Sequence, residues 1–251
     1  MLFRSNSTPV PFLPGGWEGT VCAVIQWPLA MVTAGLFALV IGALSLRTQG
    51  IYFVMITLAF AQMLFYFFDS LEAYGGDDGL SLWSRNDLAG LDLGDDTTFY
   101  YVCLGSLAMF MLICQRLVNS RFGMVIRGCA QNERRMRALG FPTYRYKLLC
   151  FAIAGAGAGL AGALIANQTE YVSPALLHWT RSGEFLVMVI LGGMGSIYGA
   201  LAGAVALLGL EETLTGVTEH WALFLGPVLI LVVLFARAGV FGFLAGEEPS
   251  E

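Results

Sequence analysis

Few side chains in this sequence could do chemistry, and they are unevenly placed. Residues 115–147 hold Arg116, Arg121, Arg127, Arg134, Arg135, Arg137, Arg145 and Lys147, eight of the thirteen cations in the chain. A cluster of that density offers ion pairs to an acidic partner or to a polyanion. It is also more than a run of charge. Met124, Ile126, Ala130, Met136 and Leu139 are interleaved with Arg127, Glu133, Arg134, Arg135 and Arg137, the pattern of a short amphipathic helix. Gly140, with Pro142 after it, would end that helix. Glycine supplies the other conspicuous spacing. Gly157-x-Gly159-x-x-Gly162 matches the dinucleotide fingerprint in letters only, because that motif needs a strand before it and these glycines sit inside an apolar helical run. The better reading is helix packing. Ala154, Ala158, Gly162 and Ala166 recur every fourth residue, Gly155 and Gly159 add a pair at the same spacing, and Gly195, Gly199 and Gly203 form a second ridge.

Enzymatic chemistry finds little material. His178 and His220 are far apart in sequence and show no metal-ligand spacing. The five cysteines show no CxxC pair and read as small apolar fillers, not as a disulfide or metal framework. The apolar runs contain almost no ionisable residue, whereas proton pumping and intramembrane catalysis usually need a buried acid, histidine or lysine. No Ser-His-Asp set can be assembled. The sequence therefore assigns no catalytic residue, no metal site and no cofactor. If the chain transports a solute, the energy must come from another subunit.

The elements that position these residues belong to a membrane protein. The chain is 57% hydrophobic and 12% charged, against about 25% charged in soluble domains. Apolar candidates for bilayer spans lie at 27–46, 51–68, about 98–114, 148–167 and 221–237, each near the roughly 20 residues that hydrocarbon requires. A sixth apolar stretch, 184–210, is broken by Gly192-Gly193-Met194-Gly195-Ser196; two short helices meeting at the glycines and a re-entrant hairpin both fit. Eight acids fall in 69–96, balanced there only by Arg85, and the basic cluster follows one span later. Because Lys and Arg resist translocation, the basic loop 115–147 is expected in the cytoplasm and the acidic loop 69–97 outside. The organisation expected is an extracytoplasmic segment 1–26, a transmembrane domain 27–237 and a cytoplasmic tail 238–251. A basic loop between spans serves positive-inside orientation, so nucleic acid is not an expected partner.

Several blocks carry a family resemblance. Asn132-Glu133-Arg134-Arg135, Ala138-Leu139-Gly140 and Tyr144-Arg145-Tyr146-Lys147 resemble the cytoplasmic coupling loop of bacterial branched-chain amino acid ABC importer permeases. Arg47-Thr48-Gln49-Gly50-Ile51-Tyr52-Phe53 with Thr57-Leu58-Ala59-Phe60, then Gly75-Gly76-Asp77-Asp78-Gly79-Leu80, Val172-Ser173-Pro174 and Leu191-Gly192-Gly193-Met194-Gly195-Ser196, are similar to further blocks in that family's order. The resemblance implies an all-α polytopic permease subunit of an ATP-driven importer in the bacterial inner membrane. It implies a second homologous permease, two cytoplasmic ATPases, an extracytoplasmic solute-binding protein and a small neutral solute. The solute is expected to be a branched-chain or related neutral amino acid; urea and short-chain amide importers share much of the pattern. A non-transporting fragment and a membrane-embedded enzyme are the other readings. Family members usually carry additional spans before the one at 27–46, so the chain is expected to be shortened at its amino end.

On that resemblance Glu133, Arg134, Arg135, Arg137, Ala138, Leu139 and Gly140 form the coupling helix that meets the ATPase. Gly192, Gly193 and Gly195 with Thr57 line or hinge the translocation path. Gly155, Gly159, Gly162, Gly199 and Gly203 are expected to pack helices.

Overall fold

A computed structural model describes residues 23–48, 50–71, 76–81, 85, 93–193, 197–216 and 226. The segment 1–22, Gly195, His220, most of the apolar run 221–237 and the tail 238–251 lie outside the described residues. The chain forms two compact units, Met1–His178 and Trp179–Glu251.

Helices dominate. The first unit contains α1 (Ala23–Ser45), α2 (Ile51–Asp69), α3 (Asp96–Val118), α4 (Arg121–Ala138) and α5 (Thr143–Thr169); the second contains α6 (Trp179–Gly192) and α7 (Ile197–Thr215). Among the described residues, α1, α2, α3, α5 and α7 are long and apolar enough to cross a membrane. The protein is thus a polytopic helical bundle. Its surface fits that solvent. Along α2 no residue is buried, and Ile51, Tyr52, Met55 and Tyr66 are all exposed. Such a face would be untenable in water and is ordinary against lipid. The hydroxyls of Ser45, Thr57 and Ser106 donate to carbonyls three or four residues back on their own helices. That removes polar groups that hydrocarbon cannot solvate.

The first unit is organised by the antiparallel pairing of α1 and α5. Gly155 packs directly on Ala38, and a methyl at Gly159 would sit 2.6 Å from the Ala34 Cβ and 2.7 Å from the Ala30 carbonyl oxygen. Gly35 and Gly42 return the contact from α1 against Ala156 and Phe151. Gln26 on α1 and Asn167 on α5 are both buried. The seam does not follow the every-fourth-residue row read from the sequence. Ala154, Ala158 and Gly162 are exposed, and a Cβ on Gly162 would meet nothing within 4 Å. The contact row is Ala152, Gly155, Gly159, Ala163 and Ala166. The cause is geometric: steps of four alone drift around a helix of 3.6 residues per turn, whereas mixed steps of three and four keep facing one neighbour.

The two ends of this unit carry opposite charge. At one end lie the C-terminus of α1, the start of α5 and all of α4; Tyr144 Oη donates to the Ala43 carbonyl at 2.8 Å and joins α5 to α1 there. At the other, a two-residue strand β1 (Leu80–Ser81) pairs antiparallel with β2 (Tyr171–Val172), just beyond α5. The Ala23–Leu93–Phe99 cluster closes that end around the starts of α1 and α3.

In the second unit, the described residues of 184–210 form two helices, α6 up to Gly192 and α7 from Ile197. Gly192, Gly199 and Gly203 fall where the two cross: Gly192 lies backbone-to-backbone against Gly199 and Gly203, with no room for a side chain on Gly192 or Gly203. Gly193 ends α6 with φ 107°, a conformation that favours glycine. With 14 residues, α6 is about 21 Å long, short of the roughly 30 Å hydrocarbon core.

The seam yields a stability test. Gly159→Val should destabilise the detergent-solubilised protein by about 1–3 kcal/mol through overpacking, while Gly162→Ala should change it by no more than about 0.5 kcal/mol. Thermal unfolding followed by size-exclusion chromatography separates the two.

Candidate functional site: a capped basic step between two apolar helices

The basic cluster is built as a structured step. Ser120 caps the start of α4, its Oγ accepting from the Gly123 amide at 3.4 Å. Gly123 is obligatory there, because a Cβ would strike the Leu117 and Val118 carbonyl oxygens. At Asn132 the backbone leaves the helix, with φ −157° and ψ 96°. Its side-chain oxygen then accepts from the Arg135 amide at 3.1 Å, so Asn132 caps a second short helix beginning at Glu133. That helix closes with paired reverse hydrogen bonds, Gly140 N–H to the Arg137 carbonyl (2.9 Å) and Phe141 N–H to the Met136 carbonyl (3.2 Å). Such a closure needs a left-handed residue, and Gly140 supplies it at φ 86°. Met136 folds back against Gly128, which has no side chain to obstruct it.

Glu133 holds the step to α5. Its two oxygens meet Lys147 Nζ at 2.6 Å and an Arg137 guanidinium nitrogen at 2.7 Å. The buried Thr143 hydroxyl lies between them, donating to Glu133 at 3.3 Å and accepting from Arg137 Nε at 3.2 Å. The hydrogen bond from Lys147, with a smaller contribution from Arg137, holds the Glu133 carboxyl below the ordinary glutamate range against an opposing effect of burial. Phe122 and Tyr146 stack at 5.5 Å and close α4 against α5 a little further on.

The cluster read as a coupling helix therefore divides in two. Glu133 and Arg137 are engaged with α5, whereas Arg134, Arg135, Ala138, Leu139 and Gly140 are exposed, with Leu139 65% accessible. The exposed group is a small apolar knob flanked by guanidinium groups. Sequence reading did not find the roles of Asn132, Thr143 and Lys147. One signal was available: Glu133 is the only acid among the eight cations of 115–147.

At the opposite end, Asp77 and Asp78 are exposed in a helical turn at Gly76–Asp78, and Tyr171 Oη donates to the Asp78 carbonyl at 2.6 Å. Arg85 binds Asp96 at 2.5 Å and Glu170 at 3.3 Å and covers the Phe99 ring. These contacts, led by the Asp96 hydrogen bond, hold it more firmly in its charged form. Thr57 spends its hydroxyl on the Phe53 and Val54 carbonyls. Five residues on from it along α2, the Gln62 side-chain oxygen is buried with no hydrogen-bond partner. Gly192 and Gly193 form the helix junction of the second unit, while Gly195 is not among the described residues.

Apolar helices long enough to span a membrane, joined by one exposed basic step, define the class: a polytopic membrane protein. Residues 12–234 match the family described as the branched-chain amino acid transport system permease component, and the chain belongs to that family. It is 28% identical over 237 residues to the high-affinity branched-chain amino acid transport permease LivM of Salmonella typhimurium, covering 85% of this chain and 56% of that protein. The probable LivM of Methanocaldococcus jannaschii is 27% identical over 70% of this chain and 52% of its own length. The permease LivH of Escherichia coli is 34% identical over 49% of this chain and 40% of LivH. The chain thus spans about half the length of the curated relatives it matches. No solved structure matches it significantly.

Two measurements probe the step. Gly140→Val forces a β-branched residue into left-handed backbone at about 1–2 kcal/mol, so limited proteolysis at Arg134 and Arg135 should accelerate about 5- to 30-fold, with Gly140→Asn near wild type. Because folding lowers the Glu133 pKa, its contribution is complete above the ordinary glutamate value of about 4.3. It is lost as pH falls below that value through the folded one. Protease protection should therefore stay flat from about pH 8 to pH 6 and decline only in stronger acid.

Proposed function

We propose that this chain is a permease subunit of an ATP-driven importer for branched-chain or related neutral amino acids in a bacterial inner membrane. ATP is hydrolysed on separate cytoplasmic subunits, and a second permease of the same family completes the path. An extracytoplasmic binding protein delivers the solute. The observation that carries this reading is the capped step at 133–140: a short helix held to α5 from one side and presenting Arg134, Arg135 and Leu139 on the other. Exposed guanidinium groups around one apolar side chain suit an acid-rimmed groove on a moving partner. The basic end lies in the cytoplasm, as charge asymmetry of the connecting segments supports. The exposed Asp77 and Asp78 lie at the other end, where a binding protein would dock.

By the same reading Thr57 on α2 lines or hinges the solute path, and the glycine junction at Gly192–Gly193 is, within the second unit, a separate candidate for the same role. Family membership favours branched-chain amino acids over urea and short amides, and the scarcity of charge in the spans suits a neutral or zwitterionic cargo.

The test is reconstitution. A single cysteine at Leu139 should cross-link to a co-expressed ATPase and resist impermeant reagents added to intact cells. Liposomes holding the complex should take up leucine, isoleucine or valine only with ATP and a binding protein. Labelling of that cysteine from outside the cell would reverse the orientation, and uptake of urea in place of leucine would reassign the cargo.

A further inference from the structure

The coupling cluster is not functionally uniform, and Glu133 is its exception. Its carboxylate is committed to Lys147, Arg137 and Thr143, at 2.6, 2.7 and 3.3 Å, and only about a fifth of the side chain is exposed. Every group that holds it belongs to its own short helix or to the first turns of α5. An acid with both oxygens so occupied has little left for an ATPase; its neighbours Arg134, Arg135 and Leu139 face outward instead. The anchorage also continues inward. One residue past Thr143, Tyr144 Oη is bonded to the Ala43 carbonyl, and α5 is packed on α1 through Gly155 and Gly159.

We propose that Glu133 is a positioning residue that makes the coupling step one rigid body with the α1–α5 pair, so that force received at Arg134, Arg135 and Leu139 is delivered to the bundle. This rests on the importer reading and deepens it. Without the tie, the only covalent routes from the step to the bundle are the extended break at Asn132 on one side and the Gly140–Phe141–Pro142 turn on the other. Neither is helical, and both can absorb displacement. The tie bypasses them, and the partner then pushes the pair as a unit.

The experiment uses the assembled complex of both permeases, the ATPases and a binding protein in liposomes, with radiolabelled leucine as cargo. Three quantities are read: ATPase retained on affinity-purified complex, ATP hydrolysis, and leucine imported per ATP. Glu133→Gln should keep the ATPase bound and hydrolysing within about twofold while leucine per ATP falls about tenfold, the scale of an ordinary coupling between sites. Lys147→Met should behave alike, and Glu133→Gln with Lys147→Met together should lose little more than either alone, as expected of a contacting pair. If Glu133→Gln accumulates poorly in the membrane, Glu133→Asp serves in its place, with a smaller loss in the same direction. An unchanged leucine-to-ATP ratio overturns the proposal. So does release of the ATPase by Glu133→Gln, which would make Glu133 a direct ATPase contact, or losses that simply add in the double variant. Failure of the importer reading looks different: the unsubstituted chain would then bind no ATPase at all.

Discussion

Hydrocarbon refuses unpaired charge and unsatisfied backbone, and every other feature of this chain follows from that refusal. It accounts for the helices, which satisfy their own amides, and for the return of the Ser45, Thr57 and Ser106 hydroxyls to their own backbones. It also drives the ionisable groups to the ends of the bundle. One end then carries the eight cations of 115–147 and Arg47 around a single acid, Glu133, and the other carries Arg85 among aspartates and Glu170. With no hydrophobic effect to draw helices together in lipid, close backbone approach has to do it, and glycine is the residue that permits it. The α1–α5 seam and the α6–α7 crossing are two independent uses of that means.

At the basic end the same constraint leaves an opportunity. Headgroups and water tolerate charge, so ion pairs there can shape the chain at little desolvation cost. Glu133 draws Lys147 and Arg137 inward, and the cations left over face outward. A helix cap, a left-handed glycine and one acid are enough to convert a positively charged connection into a surface of defined form.

Much of the fold was legible in the sequence. The spans at 27–46, 51–68, 98–114 and 148–167 match α1, α2, α3 and α5 to within a few residues at each end; α3, for example, starts at Asp96, ahead of the apolar run, because its cap Asp95 lies in polar sequence. The stop at Gly140 was legible because a left-handed closure has a characteristic residue. The face of α5 was misread: Ala154, Ala158 and Gly162 are as small as Gly155 and Gly159, and composition alone does not say which row meets a neighbour. The break at Asn132 was hidden inside a continuous amphipathic pattern, and the Glu133–Lys147 pair spans a turn whose geometry no spacing rule encodes.

The position of the glycines along α5 has a mechanical meaning. The helix runs for 27 residues, about 40 Å, and Gly155 and Gly159 stand near its midpoint. A rod whose closest crossing lies at its centre is a lever with a central fulcrum. Tilting the α1–α5 pair as a unit about that level by about 5° would carry the two tips of α5 about 2 Å in opposite directions at that length.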